Sequence, residues 1–218
     1  MINKIINIGW DISHLEFTIG DHYYFSKLKS LVKTNGCSVK EVTVFYELDF
    51  FDVIVLNYPE ISFKDSEVDF LYRAVRSGKR VIITGYYNNE DNISDTVNSL
   101  CYKFGVRLNK DEITNSECND ESDPLLPVIS SIGLFDESVS EIMLPCCASI
   151  DITGNEARPF LLNRPHAEKE KGIMGTITFA GKGEFILIGT CVFWDNYAIS
   201  RYTNSIFSMN LLKSPLNN

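Results

Sequence analysis

Asp11, His14 and Glu16 lie within six residues of one another in the stretch "GWDISHLEFTIGDHYYFSKL" (9–28), which also holds Asp21, His22 and the aromatic run Tyr23, Tyr24, Phe25. An imidazole flanked by carboxylates has two chemical uses. It can act as a general base oriented by an acid, or it can join the carboxylates in holding a divalent metal, with His14 and Glu16 as the candidate ligands. The competing reading is plain: Asp11 caps a turn and the histidines sit on the surface. Cys191, which follows an apolar run, is a candidate nucleophile, although thiolate chemistry wants a neighbouring base or a helix N-terminus. Otherwise it is a small buried hydrophobe. Asn57, Tyr58, Glu60, Tyr86, Asn88, Trp194 and Asp195 are polar or aromatic groups that follow apolar runs. Tyr86, Tyr87 and Trp194 can stack on a ring or a peptide, or simply finish a core.

The elements that would position these residues follow from the pattern of apolar residues. "KIINIGWD" (4–11), "SVKEVTVF" (38–45), "FDVIVLNYP" (51–59) and "RVIITG" (80–85) read as strands, the third with a continuous apolar centre closed by Pro. "WDISHLEF" is therefore the loop leaving the first strand. Asp21 is the expected N-cap of the next helix, with Phe25, Leu28, Leu31 and Val32 at helical spacing and Asn35-Gly36 as its stop. Three aromatics in a row at the start of that helix cannot all face one core. A second helix has Val68, Leu71, Tyr72 and Val75 inward and Gly78 as C-cap. A third spans 94–106, capped by Ser94 or Asp95 and ended by Gly105. Strand–helix alternation with short connections predicts a mainly parallel sheet with helices on both faces.

The second half differs. The polar run 109–127 reads as an exposed excursion, and 109–172 as a region of excursions and added antiparallel strands. Cys146 and Cys147, if on a strand, face opposite ways. His166 sits among alternating charges in what reads as a solvated loop, "AGKG" (180–183) is a hairpin signal, and "EFILIGT" (184–190) returns to the buried-strand style. "GKG" is too short for a phosphate loop and lacks the helix that should follow it. A closing helix over 196–213 places Ile199, Tyr202, Ile206, Phe207 and Leu211 on one face, and 214–218 is expected to be a flexible tail. The whole chain reads as a single domain.

A formal net charge of −9 with scattered basic residues argues against a nucleic-acid partner. No run of about 20 apolar residues exists for a membrane span, and the N-terminus has too short an apolar stretch for a signal peptide. The six cysteines show neither a C-x-x-C pair nor finger spacing, as expected of a reduced cytoplasmic protein.

The residues "FDVIVLNYPEISFKDSEVDFLYRAVRSGKRVIITG", "YKFGVRL" and "KGEFILIGTCVFWDN", with "GWDISHLE" at the start, carry a resemblance. The chain resembles the glutamine-amidotransferase-like domains without amidotransferase activity, the GIFT-type group shared by gliding-motility and intraflagellar-transport proteins. The resemblance covers nearly the whole chain and implies a flavodoxin-like three-layer sandwich; it implies no reaction. Class I amidotransferases place a nucleophilic Cys on an elbow and a late His with an acid. Here the elbow reads Gly85-Tyr86-Tyr87-Asn88 and the late strand ends "GTCVFWDN", without a histidine. Glutaminase chemistry is excluded on that ground.

Ligands of open α/β sheets bind beyond the carboxyl ends of the strands, near a switch in strand order. That edge collects Asp11, His14 and Glu16; Asn57, Tyr58 and Glu60; Thr84, Tyr86 and Asn88; and, if 184–190 is parallel, Thr190, Cys191, Trp194 and Asp195. The expected function is a non-catalytic binding or assembly module that recognises a small ligand or a protein partner there, with no cofactor. The alternatives are a hydrolase-type enzyme using His14, Glu16 and Asp11, metal-assisted or with Cys191 as nucleophile, and a structural subunit whose exposed aromatics form a homo-oligomer or hetero-complex interface.

Overall fold

A computed structural model describes residues 5–163 and 172–214. His166 and all of the expected tail except Ser214 lie outside the described residues, as does the start of the first expected strand. In chain order the elements are β1 (Asn7–Asp11), α1 (His22–Thr34), β2 (Ser38–Val42), β3 (Val53–Asn57), α2 (Asp65–Ser77), β4 (Arg80–Thr84), α3 (Ile93–Cys101) and β5 (Val106–Leu108). There follow β6 (Val128–Ile129), β7 (Ser131–Ile132), β8 (Ile142–Met143), β9 (Ile150–Ile152), β10 (Ala157–Leu162), β11 (Ile173–Ala180), β12 (Gly183–Ile188) and α4 (Asn204–Lys213).

The main sheet has the order β2-β1-β3-β4-β12-β11-β10-β7. The first five strands are mutually parallel, and the remaining pairings are antiparallel. The central strands are apolar on both sides, as parallel strands covered on two faces must be. Ile8, Trp10, Val55 and Ile186 pack in one core cluster with Phe25 and Leu28 of α1 and Phe207 and Leu211 of α4. Ile54, Leu56, Val81 and Leu187 pack in another with Leu71 and Val75 of α2 and Val97 and Leu100 of α3. The result is the expected α/β sandwich with antiparallel strands added from the second half, a Rossmann-like arrangement. The "AGKG" hairpin forms, with Gly181 at φ 64°, and 183–188 is indeed parallel to β4.

Asp21 caps α1 as expected, its side chain accepting from the backbone N–H of Tyr23 (2.8 Å) and Tyr24 (3.1 Å). Gly78 ends α2 at φ 117°, a conformation that costs glycine little.

Other boundaries move. β2 is shorter than expected because a 3-10 turn (Phe45–Phe50) follows Val44 and buries Phe45 and Leu48. These apolar residues continue the strand pattern in sequence but not in space. The third helix is not capped by Ser94 or Asp95. Both residues lie inside it, and the Asn89 side-chain oxygen accepts from their N–H groups (2.9 and 3.3 Å). The closing helix starts at Asn204, not 196, because Asp195 Oδ1 turns the chain at Tyr197 and Ala198, and Tyr202 is left-handed at φ 48°. Tyr202 and Ile206 are exposed as a consequence, whereas Ile199, Phe207 and Leu211 are buried. The run 109–127 is not merely an exposed excursion: Ile113, Asn115 and Leu126 are buried, and Asn115 Nδ2 donates to Asn163 Oδ1 at 2.8 Å. Cys146 and Cys147 fall in a turn region rather than on a strand, yet Cys147 is buried and Cys146 is half-buried. All six cysteines are free.

Candidate functional site

The parallel strands bring Asp11, Asn57, Thr84 and Ile188 to one edge of the sheet. β1 and β3 are neighbours there, although β2 lies between them in sequence, so the order reverses at this point. The loop leaving β1 is pinned over the edge by the Phe17 N–H donating to the Asn57 carbonyl (3.1 Å) and the Glu60 N–H donating to the His14 carbonyl (2.9 Å). Asn57 itself is fully buried: its Oδ1 accepts from Thr84 Oγ1 and from Trp194 Nε1, both at 3.0 Å. Trp194 thus belongs to the core, stacked on Phe193 and tilted against Trp10.

Two distinct assemblies form at this edge. The first is an internal polar cluster of Asp11, His14 and Glu16. His14 Nδ1–H donates to Asp11 Oδ2 at 2.8 Å and lies 3.8 Å from Glu16 Oε1. The His14 backbone N–H donates to Glu16 Oε2 at 2.8 Å, and Ser13 donates to Asp11 Oδ1 from both Oγ (2.8 Å) and N (3.1 Å). On the far side of the ring, His14 Nε2 is 3.3 Å from Glu67 Oε2 in the first turn of α2. The Phe45 and Phe63 rings enclose the imidazole at 4.9 and 4.4 Å. His14 is 4% exposed, Asp11 0% and Glu16 6%.

These surroundings separate the protonation states. Burial and the Asp11 carboxylate push Glu16 up to about 9, so that Glu16 holds its proton at neutral pH. Asp11 titrates lower than usual: burial alone would raise it, but bonds from His14, Glu16 and Ser13 outweigh that effect. Burial opposes the charge on His14, yet the carboxylates of Asp11 and Glu67 raise it overall. The apposition of an acid–base pair is real; its burial keeps it away from bulk solvent.

The second assembly is a crevice of about 480 Å³ beyond the strand ends. Phe17, Tyr24, Phe25, Tyr58, Tyr86 and Tyr197 supply aromatic walls, and Glu90, Asp91, Glu121, Asp123 and Asp195 supply carboxylates. Phe17 and Tyr58 pack with ring centroids 4.9 Å apart, and Tyr58 meets Tyr86 edge-on at 5.7 Å. Tyr58 Oη donates to Asp91 Oδ2 at 2.9 Å. No Lys, Arg or His lines the crevice among the described residues, although at its rim the Arg201 guanidinium lies 4.6 Å over the Tyr197 ring and pairs with Glu121. Cys191 and Cys146 reach it, but burial pushes both thiols up, and nearby carboxylates push further in the same direction. Gly85 is closely packed, since a Cβ there would meet the Leu108 side chain at 2.3 Å. Tyr86 follows it and lines the crevice. Burial raises Asp195 to about 6 in spite of the N–H groups it accepts from.

Of the sequence candidates, Tyr58, Tyr86, Cys191 and Asp195 meet in the crevice, whereas Asp11, His14 and Glu16 meet behind it. Asn57 and Trp194 lie beneath both. Asn88 stands apart, exposed and left-handed, donating to Glu112 Oε2 at 2.8 Å. Glu67 was not foreseen. It reads as an ordinary N-terminal helix acid that accepts from the Lys64 N–H (2.8 Å), and nothing local reveals that it reaches a histidine 53 positions earlier. Asp91, Glu121 and Asp123 also escaped notice. Their only sequence signal is the acid-rich composition of their loops.

No family model matches the chain. A protein of Aquifex aeolicus (strain VF5), described as uncharacterised, is 42% identical over 220 aligned residues, covering 95% of this chain and 93% of that one. Among solved structures, the mmIFT52 N-terminal domain superposes with a TM-score of 0.81 at 15% identity, covering 97% of this chain and all of that one. A cytoplasmic protein from Salmonella typhimurium gives 0.63 at 12% identity over 98% of this chain. The β-galactosidase from Rahnella sp. R3 gives 0.58 at 13% identity, but only 29% of that enzyme is involved. At these identities the likeness is one of fold.

Proposed function

We propose, for a chain that belongs to the same family as the uncharacterised Aquifex aeolicus protein, the role of a non-catalytic binding module that captures a positively charged group in its strand-end crevice. In this reading the sandwich is a flavodoxin-like, glutamine-amidotransferase-like domain that has kept the ligand position and lost the nucleophile. The carrying observation is the crevice lining: six aromatic rings beside five carboxylates with no basic side chain in that lining among the described residues. Aromatic faces attract cations, and nearby carboxylates add to the attraction. The free cysteines fit a reducing, cytoplasmic setting. The raised thiols of Cys146 and Cys191 argue against covalent chemistry at the same place. The fold likeness to the mmIFT52 N-terminal domain fits a module used in assembly.

The test is calorimetric titration of the full chain with two short peptides identical except for lysine or glutamate at the central position. The lysine peptide is expected to bind, and the glutamate peptide is not. Tyr86→Ala and Asp91→Asn should each weaken binding by about 3- to 30-fold, the range of a desolvated cation–π contact. Tetramethylammonium, titrated separately, distinguishes a small amine ligand from a peptide partner. Equal binding of both peptides, or of neither peptide nor amine, overturns the reading.

A further inference from the structure

We propose that Asp11, His14 and Glu16 form a binding site for one divalent transition-metal ion of the zinc class, with Glu67 supporting the histidine from outside. The candidate donor atoms, one from each residue, all lie within 4.8 Å of one another, a spread that small side-chain adjustments bring to tetrahedral ligand spacing.

The division of labour within each side chain points the same way. Asp11 Oδ1 is taken by Ser13, Glu16 Oε2 by the His14 N–H, and His14 Nε2 by Glu67. Their other atoms, Asp11 Oδ2, Glu16 Oε1 and His14 Nδ1, face one another. Glu16 Oε1 is buried and has no hydrogen-bond partner among the described residues. A fixed outer contact on one atom and a converging inner atom is how metal ligands are held. A carboxylate on the remote imidazole nitrogen is the usual outer support.

Backbone and charge agree. Leu15, the residue between the two candidate ligands, has φ 59° and is 60% exposed. This left-handed step is unfavourable for an L-residue, and it turns both His14 and Glu16 inward while Leu15 points out. Strain of this kind concentrates at functional sites. The Asp11 and Glu67 carboxylates and the protonated Glu16 surround one imidazole, and the nearby ammonium of Lys64 is exposed and lies 3.6 Å from Glu67. A divalent ion would take the place of the proton between Nδ1 and Asp11 Oδ2 and of the proton on Glu16, releasing both to solvent and leaving a third carboxylate to balance its charge. Mixed imidazole and carboxylate donors suit zinc, manganese or iron better than magnesium or calcium, which prefer all-oxygen shells.

The test uses tag-free full-length protein stripped with chelator and titrated with Zn²⁺ and then Mn²⁺, with Mg²⁺ as the hard-ion control. One zinc per chain is expected, with a dissociation constant below about 10 μM and a rise in the thermal midpoint. Glu16→Gln, which keeps the side-chain shape, should fold normally in chelator and bind zinc at least about tenfold more weakly. Glu67→Gln should lose about 10- to 100-fold. A wild-type protein that takes up no zinc at about 100 μM, or a Glu16→Gln variant that binds as tightly, overturns the proposal. If Glu16→Gln does not fold, wild-type stoichiometry and Glu67→Gln decide it. Neither outcome bears on the crevice.

Discussion

Asp195 shows how one carboxyl can report on the crevice. Its usual pKa of 3.8 is raised to about 6 by burial, with the Lys27 charge opposing. Between those values the folded state holds a proton that the unfolded state has lost, so this group's contribution to stability falls as pH rises from about 4 to about 6 and is flat above. A bound cation reverses the preference, because only the carboxylate attracts it. Affinity for the lysine peptide should therefore rise by up to about tenfold between about pH 5 and about pH 7. Asp195→Asn, which can keep the oxygen that accepts from Tyr197 and Ala198, should flatten that step. A pH-independent wild-type affinity in the calorimeter would remove Asp195 from the site. Cys146 and Cys191 share its neighbourhood but titrate above this window, raised rather than lowered by their surroundings.

At the level of elements, the joint between the sheet and α4 rests on Arg80. Its Nε and Nη2 donate to Glu184 Oε2, both at 2.8 Å, joining β4 to β12. Its Nη1 donates to the carbonyls of Leu211 (2.9 Å) and Ser214 (3.0 Å), which satisfies the end of α4, and its guanidinium sits 5.0 Å over the Phe135 ring. Breaking a buried pair of this kind by removing one partner costs about 3–5 kcal/mol, while replacing both with apolar residues can be neutral. Arg80→Ala should therefore lose about that much stability in urea unfolding, and the double change Arg80→Met with Glu184→Leu should recover the part due to the unpaired Glu184 charge but not the part due to the Leu211 and Ser214 carbonyls. Arg80 looked in sequence like the flank of a strand. Elements announced by local chemistry were legible, such as Asp21 before α1, Gly78 after α2 and the apolar centres of β3 and β4. Those decided at a distance were not. Asn89 caps α3 from within an irregular turn, Phe45 and Leu48 leave the strand they seem to continue, and Trp194 turns inward because Asn57, 137 positions earlier, offers it an acceptor.

For the whole molecule, the net charge of −9 extends beyond any one contact. A cation approaching the crevice feels both the lining carboxylates and this general field, and salt screens the more distant part within about 10 Å at 0.1 M. Raising ionic strength from about 0.05 to about 0.5 M should weaken lysine-peptide binding several-fold, mainly by slowing association. Invariance to salt in a kinetic binding assay would mean that local ring contacts alone carry the affinity. The alternating first half allowed the sheet edge to be located in sequence, and with it the residues of the β1 loop. The division of that edge into an open crevice and a closed cluster was not legible, because it depends on whether side chains face outward or behind the loop, and Leu15's backbone decides that.

The insertion of β12 between β4 and β11 sets an order of events for the growing chain. β4 finds its second parallel neighbour only when a segment about a hundred positions later emerges, as the Arg80–Glu184 separation of 104 residues shows. Until then the first half can assemble β2, β1, β3 and β4 with α1, α2 and α3, but one flank of β4 remains an open template for any passing strand. Such distant pairing is slow to form. A chain truncated before β11 should therefore expose that flank and aggregate, and the hairpin that carries β11 and β12 is the segment that covers it.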